Sequence, residues 1–350
     1  MRPRNYDKHP TVAVPGAIEV DTGWDAVCRR VGNCVGNRLK FVLVIDTYPG
    51  TDDAEVLGEL ESRLRPALTI RTSELKKPEP DLLRLIGRNL TEDRIFGVLS
   101  CHKLNEFFPE KQLAAAAGRV KDHPAGLVLV YGVGASLICR GDLLVYADLA
   151  RWEIQQRYRR GAGNWGAGNG AEDFFRKYKR GFFVEWRVAD RHKFELFDRV
   201  DFFLDTHVGG RPRLVPGDAV RDGLSHTVTR PFRVVPFFDP APWGGQWMKE
   251  VCELDPKVPN YGWCFDCVPE ENSLLLGFGN ERLEMPSLNL VWREPVRLLG
   301  DSVHARFGCE FPIRFDFLDT MGGGNLSFQV HPLTEYIQQE FGLHYTQDES

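Results

Sequence analysis

Two stretches, KFVLVID (40–46) and GLVLVYG (126–132), are apolar at nearly every position rather than at every second one. A strand with one buried face alternates with period two, whereas a strand buried on both faces does not, so these runs belong inside a sheet covered on either side. The sequence around them supplies the cover. EVLGELESRLRPAL repeats apolar residues at three and four and reads as a helix, RIFGVLS as a strand, KQLAAAAGRV as a helix, LLVYADLARWEIQQRYRRG as a helix and RVDFFLDTH as a strand. Alternation of this kind predicts a mostly parallel α/β sandwich over residues 1–215.

The rhythm then changes. VGGRPRLVPGDAVRDGLSHTVTRP (208–231) is rich in Gly, Pro and polar residues, which places a linker at 216–231. From Phe232 to Ser350, short apolar runs are separated by turn clusters such as DPAPWGGQ, DPKVPNYG, PEENS and MGGGN, the spacing of an all-β sandwich or barrel. The fold class expected is therefore α/β plus all-β, and 350 residues are enough for two such domains. GAGNWGAGNGAED (161–173) reads as a mobile loop.

Charge and cysteine usage narrow the function classes. A net charge of -5 without a long Lys/Arg block gives no electrostatic footprint for nucleic acid. No apolar run approaches the roughly 18 residues of a membrane span, and MRPRNYDKHP has no apolar stretch behind its charges, so the expected location is the cytoplasm. Eight scattered cysteines are expected as reduced thiols. Cys264 and Cys267 form a CxxC pair with no second pair to complete a zinc site, which reads as two thiols in a strand or turn.

SFQVHP (327–332) raises a different possibility. In a strand, Ser327, Gln329 and His331 project to one face and Phe328 and Val330 to the other, while Phe311, Ile313, Phe315 and Phe317 of the preceding FPIRFDFLDT share a face turned to a core. The polar trio is either the solvent face of an outer strand or part of a ligand set. Glu349 follows after a strand–helix–strand excursion, and an imidazole, an amide oxygen and a carboxylate suit a divalent ion such as Zn²⁺.

FPIRFDFLDTMGGGNLSFQVHPLTEY is similar to the segment of type I phosphomannose isomerases in which a strand of form FLDA precedes LSxQVHPxxxYA. PFFDPAPWGGQWMKE resembles the opening of that family's jelly-roll (cupin) domain, so the resemblance covers about the last third of the chain. It implies a cupin domain over 232–350 and a zinc held by Gln329, His331 and Glu349. It also implies that Ser327 lies near the substrate, that Trp243 stands at the mouth of the site, and that the substrate is a sugar phosphate, mannose 6-phosphate being converted to fructose 6-phosphate. Two departures stand out: Gln347 replaces a lysine of the family, and its acidic residue after WGG has no clear counterpart, although Asp266 is near. The family's fourth ligand and phosphate-gripping residues would fall after Ser350, so the jelly roll is expected to be incomplete in this chain. The general base is not identified; His304, His344 and Glu335 are visible alternatives.

The first domain resembles nucleoside-kinase-like α/β domains with a degenerate first turn. Neither IDTYPGTDDAEV nor YGVGASLICRGD satisfies GxxxxGK[ST], and Asp52 and Asp53 at a helix start would repel phosphate. Asp148, Arg151 and Glu153 around Trp152 either line a cleft or belong to an amphipathic helix with Trp152 packed inward. Two functions compete with the isomerase: a non-catalytic sugar-phosphate-binding or regulatory cupin, and a small-molecule kinase in the first domain.

Overall fold

The run KFVLVID forms an interior strand of a seven-stranded sheet in a computed structural model that describes residues 6–342 other than Ser327 and Gln329. The strands up to this domain's end are Thr11–Ala13 (β1), Asp21–Thr22 (β2), Lys40–Thr47 (β3), Leu68–Arg71 (β4), Gly126–Gly132 (β5), Leu143–Asp148 (β6), Phe202–Asp205 (β7) and Arg213–Pro216 (β8). The sheet order is β2-β8-β7-β6-β3-β5-β4. Pairings β3–β5, β3–β6, β4–β5 and β6–β7 are parallel, and β8 runs antiparallel to both its neighbours. Leu43 and Val44 are adjacent and both fully buried, one in each of two core clusters, which is why the run does not alternate.

The helices covering the sheet are Trp24–Val35 (α1), Asp53–Leu64 (α2), Glu79–Leu90 (α3), Glu110–Asp122 (α4), Arg151–Arg159 (α5), Phe174–Arg180 (α6), Trp186–Leu196 (α7) and Gly217–Thr227 (α8). Three expectations change here. LLVYADLARWEIQQRYRRG is two elements, because every residue of Leu143–Asp148 is buried and belongs to the sheet, and the helix starts only at Arg151. RIFGVLS makes no strand: Val98, Leu99 and Ser100 donate to the carbonyls of Asn89, Phe341 and Phe183, three partners that belong to no common ladder. The segment expected as a linker, 216–231, contains α8 and buries Val220 and Leu224 completely.

The glycine-rich segment is pinned rather than loose. Asn164, 3% exposed, donates to the Tyr158 hydroxyl, the Lys177 carbonyl and Glu185, while the Lys177 ammonium donates to the carbonyls of Tyr158, Ala162 and Gly170.

Beyond α8 lie Phe237–Asp239 (β9), Trp247–Val251 (α9), Trp263–Cys267 (β10), Ser273–Phe278 (β11), Glu281–Pro286 (β12), Leu288–Arg293 (α10) and Phe315–Leu318 (β13). They form two three-stranded sheets, β1-β11-β12 and β13-β10-β9, and among the described residues neither closes into a barrel. The N-terminal β1 pairs in parallel with β11, so the first residues of the chain complete a sheet made from its last third. Val12 and Val14 from the N-terminus, Val220 and Leu224 of α8, and Leu274 and Leu276 of β11 share one core with Val44 of β3.

Candidate functional site

In the central sheet the chain leaves β3 toward β4 and β5 on one side, whereas β6 and β7 lie on the other. Ligands in open α/β sheets bind where connections diverge in this way, outside the carboxyl ends of the strands. A cavity of about 550 Å³ lies there, lined by Thr47 at the end of β3, Tyr48 and the rest of the β3–α2 turn, Glu153 and Arg157 of α5, the 162–166 loop and His207 after β7.

The turn that would carry phosphate is already filled. Asp52 caps α2, and one of its carboxylate oxygens accepts the N–H groups of Ala54 and Glu55, each at 3.1 Å. These are the donors a bound anion would use, so the chain's own carboxylate takes the anion position. Beside it, Asp53 accepts the Tyr131 hydroxyl at 2.7 Å, and burial raises its pKa. Glu55 accepts from Trp24 Nε1 and Gly210 N. Arg157 is committed to Glu153, the Gly50 carbonyl and the Thr206 carbonyl. The wall therefore sets the carboxylates of Asp52, Asp53, Glu55 and Glu153 against the guanidiniums of Arg157 and Arg160.

His207 at the far side sits 2.8 Å through Nδ1 from Asp205 and accepts the Ala150 N–H on Nε2 at 2.9 Å. Burial opposes charge on this ring, while Glu284 and Asp205 outweigh it and push the pKa up to about 9. The Ala150 bond needs a free lone pair on Nε2, so this geometry belongs to the neutral ring with its proton on Nδ1, and protonation has to break that bond.

Behind the cavity lies a layer of buried charge that begins with Asp46, Asp148 and Asp205 at the carboxyl ends of β3, β6 and β7. Asp46 accepts from Gly134 N, Ser136 N, Ser136 Oγ and His192 Nε2. Asp148 accepts Lys193 Nζ at 3.0 Å and Asn289 Nδ2 at 2.8 Å, so α10 reaches back to the sheet edge. Asp190 accepts the Tyr48 hydroxyl at 2.7 Å and is paired with Arg151. Ser136, His192 and Asp46 do not form a nucleophilic relay, because the serine and the carboxylate meet the same imidazole nitrogen. Trp152 is half-buried, stacked on Phe237 with ring centroids 4.1 Å apart, and with Glu153 lines a surface cavity.

Ser327, Gln329, Gln347, Glu349 and His344 lie outside the described residues. His331 is described and exposed, outside any strand, and Phe328 and Val330 are 93% and 78% exposed. Ile313, Phe315 and Phe317 are exposed as well, because among the described residues β13 has a paired neighbour on one edge and no layer over this face. His304 and Glu335 sit on the helices Asp301–Phe307 and Thr334–Phe341. Asp266 accepts the Tyr6 hydroxyl and pairs with Arg233. Cys264 is free and buried, its pKa pushed up to about 12 by burial. Among the described residues no group of three His, Cys, Asp or Glu side chains could hold a metal ion, and no helix is long and apolar enough to cross a membrane.

Trp243 is different, because the structure joins its segment to the FLDTMGGG turn. Gly245 N donates to the Asp319 carbonyl at 2.7 Å, Gln246 N to the Met321 carbonyl at 2.8 Å and Gly324 N to the Trp243 carbonyl at 3.0 Å. The buried Asp319 carboxylate accepts Met248 N and Met321 N. A Cβ on Gly245 would stand 2.2 Å from Asp319 Oδ1 and one on Gly323 2.4 Å from the Trp243 carbonyl, so these glycines are required by close approach. The Trp243 ring packs edge-on against Trp263 at 5.1 Å.

A family model described as a domain of unknown function (DUF8485) matches residues 23–229, more than half of the chain and nearly the whole of the seven-stranded domain. No curated protein matches the sequence.

Proposed function

The chain belongs to the DUF8485 family, whose description assigns no activity, and we propose that it is a cytoplasmic, metal-dependent aldose–ketose isomerase of a hexose phosphate, mannose 6-phosphate to fructose 6-phosphate. In this reading the region after α8 is the opening part of a jelly roll of the phosphomannose isomerase kind. The observation that carries it is the contact just described: the two segments that resemble that family, separated by some seventy residues, are bound to each other through Asp319 and the backbone of Trp243–Gln246. That contact supports a shared site with Trp243 at its rim and the SFQVHP segment leading out of the same glycine turn.

The reaction moves a proton between C1 and C2 through an enediol whose oxygens gain negative charge. A divalent ion held by Gln329, His331 and Glu349 would supply charge stabilisation to those oxygens. Of that donor set His331 lies among the described residues, where its imidazole is exposed and open to a ligand. What the chain supplies in the described part is a half-buried aromatic rim, Trp243, braced by Trp263 and fixed by a backbone clamp that leaves no room for repositioning.

Phosphoryl transfer by the seven-stranded domain is the weaker reading. The sheet order around β3 suits a kinase-like domain, yet Asp52 fills the helix N-terminus and the cavity carries an excess of carboxylates. The decisive experiment is metal analysis of the purified chain together with a coupled assay for fructose 6-phosphate. The expected result is about one divalent ion per chain, turnover of mannose 6-phosphate, and loss of both in His331→Ala, with activity down by roughly a hundredfold or more. A metal-free protein that turns over no hexose phosphate sinks the assignment, and sugar-phosphate binding without turnover selects the non-catalytic cupin.

A further inference from the structure

A cavity of about 470 Å³ lies where the family-matched region meets the rest of the chain. The start of α5 and the turn after β7 form one side of it, and β9, Tyr261 and the β11–β12 hairpin form the other. Small-molecule sites run to roughly 300–1,000 Å³, and this volume falls among them. Most of the wall is apolar, with Val208, Pro236, Phe237, Phe238, Leu254 and Tyr261 contributing. The faces of Trp152 are taken by Phe237 and by the Arg159 guanidinium, and those of Phe237 by Trp152 and Phe265. Both rings therefore turn edges to the cavity and supply apolar contact rather than cation–π attraction.

The polar part of the wall is one-sided. Glu153 and Glu284 line the cavity, and no lysine or arginine does. Glu284 is half-buried; its Oε1 accepts the Ser273 hydroxyl at 2.6 Å, and its Oε2 meets no donor among the described residues. Glu153 Oε1 takes both Arg157 Nε and Arg160 Nη2, which leaves Oε2 free in the same way. Both free oxygens are open to solvent. His207, the other titratable group of the wall, has Nδ1 on Asp205 and Nε2 on the Ala150 N–H, so neither nitrogen is available. A cavity of this volume is on the order of 10 Å across, about one Debye length, so both carboxylates act on a single charge inside it.

These features restrict what the cavity can hold. A carboxylate oxygen only accepts, so the group that meets it must donate, and an ammonium brings N–H donors together with the matching charge. Glu153 and Glu284 repel a phosphate or a carboxylate. A bare metal ion fits poorly, because among the described residues no three His, Cys, Asp or Glu side chains could hold one, and it would leave the apolar wall in water. We propose that this cavity binds a small primary amine with an apolar, ring-sized body, its ammonium on Glu284 Oε2 and Glu153 Oε2 and its body against Phe237, Phe238 and Tyr261. The proposal does not rest on the isomerase reading.

The test is calorimetric titration of the full chain with phenethylamine at neutral pH, where the amine is protonated. The expected result is saturable binding in the millimolar range, weakened about tenfold in Glu284→Gln, which keeps an acceptor for Ser273 and removes the charge. Phenethyl alcohol lacks the ligand's charge and hydrocinnamate reverses it, so each binds about tenfold more weakly or worse. Phenethyltrimethylammonium has the charge without an N–H and also binds more weakly than the primary amine. Val208→Trp fills the cavity from a position that is 48% exposed and abolishes binding. Thermal melts of both variants separate lost binding from lost folding. Absence of saturable heat overturns the proposal. So does binding that both substitutions leave intact, an alcohol that binds as well as the amine, or a trimethylammonium that binds more tightly.

Discussion

Asp46 shows how a single side chain at a strand end organises its surroundings. Burial alone would raise its pKa, but His192 and the Ser136 donors outweigh burial and hold it below the usual carboxylate range. The effect on His192 is reciprocal: burial disfavours the cation, yet Asp46, helped by Glu195 and opposed by Arg199, raises the ring's pKa above 6.5. A raised folded-state pKa contributes stability that is present in full below the unfolded value and is lost as pH climbs through the folded value. Melting temperature should therefore fall as pH rises above about 6.5, whereas His192→Gln should be flatter over that window and less stable at pH 6 by on the order of 1–3 kcal/mol. Thermal melts of both proteins at several pH values check this; equal slopes would assign the titration to another group. Gly132, with φ +116°, gives a second prediction at this scale: a Cβ there would lie 2.3 Å from Thr72 Oγ1. Gly132→Ala should cost about 1–3 kcal/mol in denaturant unfolding, from strain and displacement of Thr72 together. The terminal aspartates of KFVLVID, LLVYAD and FFLD were visible in the sequence as polar ends of apolar runs. Their partners His192, Lys193 and Asn289 were not, because a periodicity rule pairs neighbours along an element and these come from other elements.

Among the elements, α2 is the clearest case in which local chemistry decides function. Its N-cap satisfies two amide donors with a carboxylate, a gain in helix stability at the position where a nucleotide domain leaves those donors free. Asp52→Ala should lower stability by about 0.5–2 kcal/mol and still bind no Mg-ATP, because Asp53, Glu55 and Glu153 keep the cavity acidic. Equilibrium unfolding and calorimetry with Mg-ATP read the two halves of that statement, and tight nucleotide binding by the variant would mean that the acidic wall matters little. The sheet strands that read most easily, β3 and β5, are those buried on both faces, since no alternative element fits such a run. LLVYADLARWEIQQRYRRG reads as one element although its apolar residues satisfy a strand rule in the first half and a helix rule in the second, because no Gly or Pro stands at the join. In the C-terminal region the alternation of Ile313, Phe315 and Phe317 is real, but a period-two pattern specifies a shared face and not what covers it.

At the scale of the whole molecule, the rhythm change near residue 208 marks a change of architecture without marking a separable unit. The matched region 23–229 ends just after α8, and α8 turns Ala219, Val220 and Leu224 into the core that also contains Val12, Val14, Leu274, Leu276 and Met285. A Cβ on Gly223 would stand 3.0 Å from both Leu276 and Val14, so the helix, the hairpin and the N-terminal segment meet closely at that point. Cutting the chain at 23–229 would expose these side chains, each worth about 1.5–3 kcal/mol when fully buried. It would also leave Asp148 without Asn289 and Asp205 without the Glu284 N–H. A domain stabilised by about 5–15 kcal/mol does not tolerate several such losses together. The fragment 23–229 should therefore aggregate or melt at least about 10 °C below the full chain, and adding residues 6–22 alone should not restore it, because β1 needs β11 as its partner. Circular dichroism melts and size-exclusion profiles of the three proteins test this. A fragment 23–229 that is monomeric and as stable as the full chain would show that α8 closes its own core, and that the C-terminal region is attached to a finished domain.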